Sequence, residues 1–197
     1  MIIQLAEEYS SKMLLERSPK HNTYHSLEHT REVVQSVIEI AHGELALPEE
    51  LEIITIAAWF HDLGYVEKTT GHEEISAMFA SNFLTNENYI SSKIEKVVGC
   101  ILATKVPQHP KNKLEKIMCD ADLSHLGRRS FIERNNLFRT EFEHYFKRKL
   151  TESEWLIKSI EFVSQHNFFT DYAQRTFSDI QNENLALLQQ QLDSLTQ

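Results

Sequence analysis

The chain has 197 residues, enough to bury a sizeable core within one domain. Its 20 Lys and Arg against 29 Asp and Glu leave a net charge of −9, which argues against bulk attraction to nucleic acid or an anionic membrane surface. The 2 cysteines, Cys100 and Cys119, make no disulfide framework, and the first residues carry neither a basic leader nor a long apolar run. A soluble, reduced, cytoplasmic protein is therefore expected.

Apolar spacing is helical nearly throughout. A first helix is predicted from about Ile2 to Glu16, followed by a loop through Pro19. The second starts near Ser26 and stops at Gly43, a glycine of the kind that ends helices. Pro48-Glu49-Glu50 makes a good first turn for a third helix, which ends around His61-Asp62 before Gly64. "GHEEISAMFASNFL" and "SSKIEKVVGCILAT" read as the fourth and fifth, and "KVPQHPKN" as a loop with two prolines. A shorter helix follows in "LEKIMCDADLSHL", then one in "RSFIERNNLFRTEFEHYFKRKL" and one in "TESEWLIKSIEFVSQ". In the former, the basic KRKL run reads as a helix C-terminus. The last helix, about Asp171 to Leu195, is compatible with packing inside the chain or with a homodimer. No segment alternates with period two. The expected fold class is all-α, one helical bundle spanning 1–197.

Three of these helices carry imidazole or carboxylate at one end of an apolar face. His61 continues the Leu51, Ile54, Ala58 row, with Asp62 beside it; His29 continues Val33, Val37, Ala41; Asp122 lies four residues after Met118. Buried carboxylates are costly unless paired or metal-bound. If the three helices converge, they offer two His and two Asp to a divalent ion, an N/O set suited to iron, manganese, nickel or zinc. A rival reading takes His25-Ser-Leu-Glu28-His29 as H-x-x-E-H, the signature of inverted zinc peptidases. That reading needs a further ligand within a larger α/β domain, and it leaves His61-Asp62 and Asp122 unexplained.

His29, the His61-Asp62 pair and Asp122 resemble the H…HD…D pattern of the HD superfamily of metal-dependent phosphohydrolases. "TYHSLEH", "AAWFHDLGY", "HEEISA", "ILATK" followed by His109, and "DADLSHLG" look like motifs of its stand-alone bacterial members. "FRTEFEHYF", "NFFT" and "NENLALL" extend the likeness over nearly the whole chain, with departures at Asn22 and His72. The resemblance implies a helical core of roughly five helices, with additional C-terminal helices here. It implies His29, His61, Asp62 and Asp122 as ligands of a divalent ion (Mn, Fe, Mg, Ni, Co or Zn), Asp120 being the alternative to Asp122. One ion is favoured, a second being conceivable through His72 and His109.

The same resemblance implies cleavage of a phosphate ester or phosphoanhydride of a small phosphorylated metabolite or nucleotide by a metal-activated water. His25, Glu73 and His109 are then candidates to orient that water or protonate a leaving group, and Lys105 and Arg139 to hold phosphate oxygens. Two other functions fit the same ligands: a sensor that binds metal and nucleotide without turnover, and a di-iron oxygenase.

Overall fold

A computed structural model describes residues 1–195, and every regular element among them is helical. The order is α1 (Ile2–Arg17), α2 (Leu27–Gly43), α3 (Pro48–Phe60), α4 (His72–Asn86), α5 (Ser91–Ala103), α6 (Lys113–Asp122), α7 (Phe131–Tyr145), α8 (Glu152–Gln165) and α9 (Asp171–Ser194). Short 3-10 turns follow α3 at Leu63–Val66 and α6 at Ser124–Gly127. All-α is the observed fold class. No helix among the described residues is long and apolar enough to cross a membrane.

The centre of the bundle is α3. Every residue from Ile53 to Phe60 is buried, so the helix is enclosed on all sides rather than along one stripe. Proline at its start and the Glu50 carboxylate, which accepts from Leu47 N–H (2.8 Å), define where it begins. Helices α1, α2, α4, α5 and α6 pack around it. Of these, α2 begins at a Ser26 cap and α6 at an Asn112 cap, each side-chain oxygen accepting a backbone N–H three residues on.

Helix α2 stops at Gly43 as expected, but not in the expected manner, and two other boundaries move. Gly43 does not end α2 by turning left-handed; the positive φ falls on Leu45 (52°). Glycine is needed at position 43 because a Cβ there would lie 2.0 Å from the Tyr172 ring of α9. The KRKL run lies beyond the end of α7, not in its last turn. Lys147 takes a φ of 49°, Lys149 pairs with Glu143 (3.0 Å), and Leu150 N–H donates to the same carboxylate (3.0 Å). The predicted helix through "DADLSHL" is broken at Asp122, after which the chain tightens into the second 3-10 turn.

Helices α7–α9 are tied onto the α2–α6 core by buried polar contacts as well as apolar ones. Arg134 of α7 reaches Glu28 (3.1 Å) and Glu32 on α2. The apolar face of α9 (Ala173, Phe177, Leu188) is covered within the chain, by α8 and the second 3-10 turn. Asp120, fully buried on α6, accepts from Phe169 N–H (2.8 Å), Thr170 N–H (2.8 Å) and Thr170 Oγ1–H (2.7 Å); Thr170 in turn caps α9. Asp120 is thus occupied as the anchor of α9. Replacing it with alanine strands two backbone donors, and Asp120→Ala is expected to lower unfolding free energy by about 3 kcal/mol. Urea denaturation measures this, and the variant should still bind metal as the wild type does.

Candidate metal centre

Three helix ends meet at one buried point. The Ser26 cap, whose Oγ accepts from His29 N–H (3.4 Å), places His29 in the first turn of α2. His61 and Asp62 follow the last turn of α3, and Asp122 is the last residue of α6. His61 Nε2 lies 3.1 Å from Asp62 Oδ2 and 3.5 Å from Asp122 Oδ1. His29 Nε2 lies 3.3 Å and 3.6 Å from the same two atoms. Among the described residues, these four form the one group of His, Cys, Asp and Glu side chains whose ligand atoms could share an ion, all within 4.8 Å of one another.

The donor set fits a metal. His61 Nδ1–H donates to the Ala58 carbonyl (2.8 Å), a free acceptor of the last turn of α3, so the lone pair of a neutral imidazole sits on Nε2, facing the carboxylates. His29 Nε2, His61 Nε2 and Asp62 Oδ2 are buried without a hydrogen-bond partner. Ligands each about 2.0–2.2 Å from one ion lie about 3.0–3.5 Å apart as neighbours, close to the observed separations. Electrostatics point the same way. Burial would lower the pKa of both imidazoles, yet Asp62 and Asp122 raise both, His61 well above its ordinary value. Against burial, which would raise them, nearby imidazoles hold both carboxyls down: His61 and His25 for Asp62, His29 and His61 for Asp122. The pocket demands positive charge.

A second layer surrounds the four. His72 Nδ1–H donates to Thr69 O (2.9 Å), leaving Nε2 3.3 Å from the outer oxygen of Asp62. Its position depends on Gly64, where a Cβ would lie 2.1 Å from the His72 carbonyl oxygen. The His25 ring stacks on Tyr65 (3.7 Å between centroids, 13° between planes). Its Nδ1–H donates to Glu141 of α7, which also accepts from Tyr24 N–H (2.9 Å) and His25 N–H (3.1 Å). Tyr24 Oη contacts His125 Nδ1 (3.2 Å), and burial pushes the His125 imidazole down to about 3, so it is neutral. Glu73 is buried beside His72, its carboxylate 3.6 Å from Nδ1.

The cluster opens into a cavity of about 510 Å³. Asp62, Asp122, His25, His72 and Glu73 line it, together with aromatic side chains of α7 and α8. Three expected site residues are elsewhere. His109 is exposed and takes no part in the cavity lining, so the structure does not assemble the His72–His109 pair anticipated for a second ion. From the same loop Gln108 reaches in instead, its Nε2–H donating to Asp122 Oδ2 (3.3 Å). Lys105 is drawn outward by Glu74 (2.6 Å), and Arg139 is held by Glu143, Glu152 and the Leu150 carbonyl, where it clamps the α7–α8 connection. Neither lines the cavity. Glu28, the presumptive base of the peptidase reading, points to Arg134, and an H-x-x-E-H site is not formed.

Residues 26–127, just over half of the chain, match the HD domain model, and the chain belongs to the HD-domain family. Three solved structures share the fold. A predicted HD superfamily hydrolase from an uncultured Thermotogales bacterium has 20% identity and a TM-score of 0.64, over 95% of this chain and 92% of that one. Bacillus subtilis YpgQ in complex with ADP has 18% identity and a TM-score of 0.69, over 98% and 93%. A Lactobacillus plantarum protein has 14% identity and a TM-score of 0.67, over 98% and 94%. Curated proteins return no match.

If the four residues are ligands and the second layer only orients them, substitutions will separate the two. His61→Ala and Asp62→Ala are expected to weaken metal binding more than ~100-fold, and His25→Ala or Glu141→Gln less than ~10-fold. Elemental analysis after dialysis against graded metal buffers reads the difference. Loss of the ion in His25→Ala would move His25 into the ligand set.

Proposed function

We propose that the chain, acting as one HD-type domain over 1–197, is a metal-dependent phosphohydrolase of a small phosphorylated metabolite, with nucleotides the favoured class. One observation carries this reading: two imidazoles and two carboxylates converge at the floor of a cavity large enough for such a ligand, with His29 Nε2, His61 Nε2 and Asp62 Oδ2 buried and short of partners. His29, His61, Asp62 and Asp122 would hold the ion. When bound, a divalent ion polarises a phosphoryl oxygen and lowers the pKa of water at the site. The acid-rich end of the cavity, with Glu73 and Glu141 close by, would repel a phosphate in the ion's absence. That charge balance makes strict metal dependence part of the reading.

The remaining roles fall to this chain's own side chains. His25 faces the cavity with Nδ1–H committed to Glu141, which fixes the ring and leaves Nε2 to give or take a proton. Glu141 is a positioning residue, holding the Tyr24–His25 backbone as well as the ring. His72, braced on Thr69, orients Asp62 from outside. Tyr65, stacked on His25 and close to His72 (4.1 Å between ring centroids), keeps bulk water from both imidazoles. The ADP held by YpgQ, a protein of the same fold, supports nucleotides as the class to test first.

Purified protein supplied with Mn, Co, Ni, Fe or Mg is expected to release phosphate or pyrophosphate from at least one member of a nucleotide panel. His61→Ala and Asp62→Ala should abolish release, and His25→Ala should cut kcat by about 100-fold while leaving metal content intact. Nucleotide binding with no turnover across the panel would assign the site to a sensor instead. Activity that survives both ligand substitutions would remove this site from the chemistry.

A further inference from the structure

The cavity lining has two origins. The groups around the metal cluster come mostly from the segment that matches the HD domain, residues 26–127, with Tyr24 and His25 just before it. The aromatic part comes from α7 and α8, outside that match. Asn135, Phe138 and Phe142 lie at i, i+3 and i+7 on α7, and Trp155, Ser159 and Phe162 at i, i+4 and i+7 on α8. The reacting groups come mostly from the part the family shares, while helices outside it supply the surface that would face the rest of a substrate.

The α7–α8 chamber is aromatic but not purely apolar. Asn135 Nδ2–H donates to Ser159 Oγ (3.0 Å), and the Ser159 hydroxyl lies 3.2 Å from Asn135 Oδ1. Each satisfies part of the other, which leaves the amide one N–H and one lone pair unused. Trp155 lines the same chamber and is only 4% exposed, yet its indole Nε1–H has no acceptor. That N–H is closed off from the cavity, so the ring offers a flat wall and no donor. Core packing accounts for the rings but not for a half-used amide among them.

A planar heterocycle suits these features. Flat aromatic walls stack a ring system, and an amide offering one donor and one acceptor matches the adjacent donor and acceptor on the edge of a nucleobase. No arginine lines the cavity among the described residues, and the single lysine, Lys158, is exposed at its rim, 5.9 Å over the Phe142 ring. The chamber is therefore poorly suited to a second phosphate group and well suited to a neutral base. We propose that the α7–α8 chamber is the nucleobase site of this protein, with Asn135 as its specificity-determining group and Ser159 holding the Asn135 amide in place. This deepens the phosphohydrolase reading and rests on it only for the fate of the phosphate.

Two measurements separate the two claims. The first is binding of unphosphorylated nucleosides to metal-free protein by calorimetry, which requires no catalysis. Wild type should bind at least one nucleoside, and Asn135→Leu and Asn135→Asp should each weaken it about tenfold, the worth of one hydrogen bond to a buried group. Asn135→Asp keeps the size of the side chain and removes the donor, and Ser159→Ala serves if Asn135→Leu does not fold. The second is turnover with metal. In the same variants KM for the preferred nucleotide should rise about tenfold, while hydrolysis of p-nitrophenyl phosphate, which has a ring but no base edge, changes less than about twofold. No nucleoside binding to wild type, binding that survives both substitutions, or an equal loss on both substrates would overturn the assignment. Nucleoside binding that the variants weaken, in a protein that hydrolyses no phosphate ester, would sustain it and overturn the phosphohydrolase reading alone.

Discussion

Asp62 and Asp122 carry like charges into the protein interior, and the imidazoles of His29 and His61 face them with nitrogens that no other group satisfies. Without a cation at their centre, a proton or a metal ion, such an arrangement is strongly unfavourable. The fold is arranged to make that cost bearable. One helix start and two helix ends are brought to the same place, each fixed by a contact outside the cluster: Ser26 for α2, the Ala58 carbonyl for the end of α3, and Gln108 for Asp122. The enclosed α3 is the rigid element on which all three depend, because α2 and α6 both pack against it.

How much of this could be read from the amino-acid sequence depends on how local the signal is. The helices were legible because period and caps are properties of short segments. The convergence of His29, His61, Asp62 and Asp122 was legible because each ends an apolar row, and a row that runs into the core carries its last residue with it. Lys105 and Arg139 show where a local signal stops. Charge in the sequence does not tell whether a cation is free, and here both are engaged, by Glu74 and by Glu143 and Glu152. His109 belongs to the family likeness that follows "ILATK", whereas the loop turns its neighbour Gln108 inward.

Glu141 is absent from the site read from the sequence, although its signal is local. It stands in the same "FRTEFEHYF" stretch as Arg139, on the row Phe131, Arg134, Phe138, Glu141, where the 3–4 spacing directs it inward. A carboxylate on an inward row calls for a partner, the reasoning already applied to Asp62. What period cannot supply is the angle at which α7 crosses α2, and only that angle brings Glu141 to the Tyr24–His25 backbone. The Asn135–Ser159 pair and the unmet Trp155 donor were hidden for the same reason, since they arise between two helices whose relative placement no local pattern encodes.

Gly43 has a reach longer than its size suggests. It lets the ring of Tyr172 rest against bare backbone of α2, and this sets how closely α9 lies on the core. Because α8 leans on α9, and α8 forms one wall of the aromatic chamber, the spacing at Gly43 is passed on to a wall it does not touch. A single missing methyl group on α2 thus acts as a shim that gauges the depth of the chamber. Related chains could resize what the chamber admits by changing this one distant contact, leaving every residue around the metal in place.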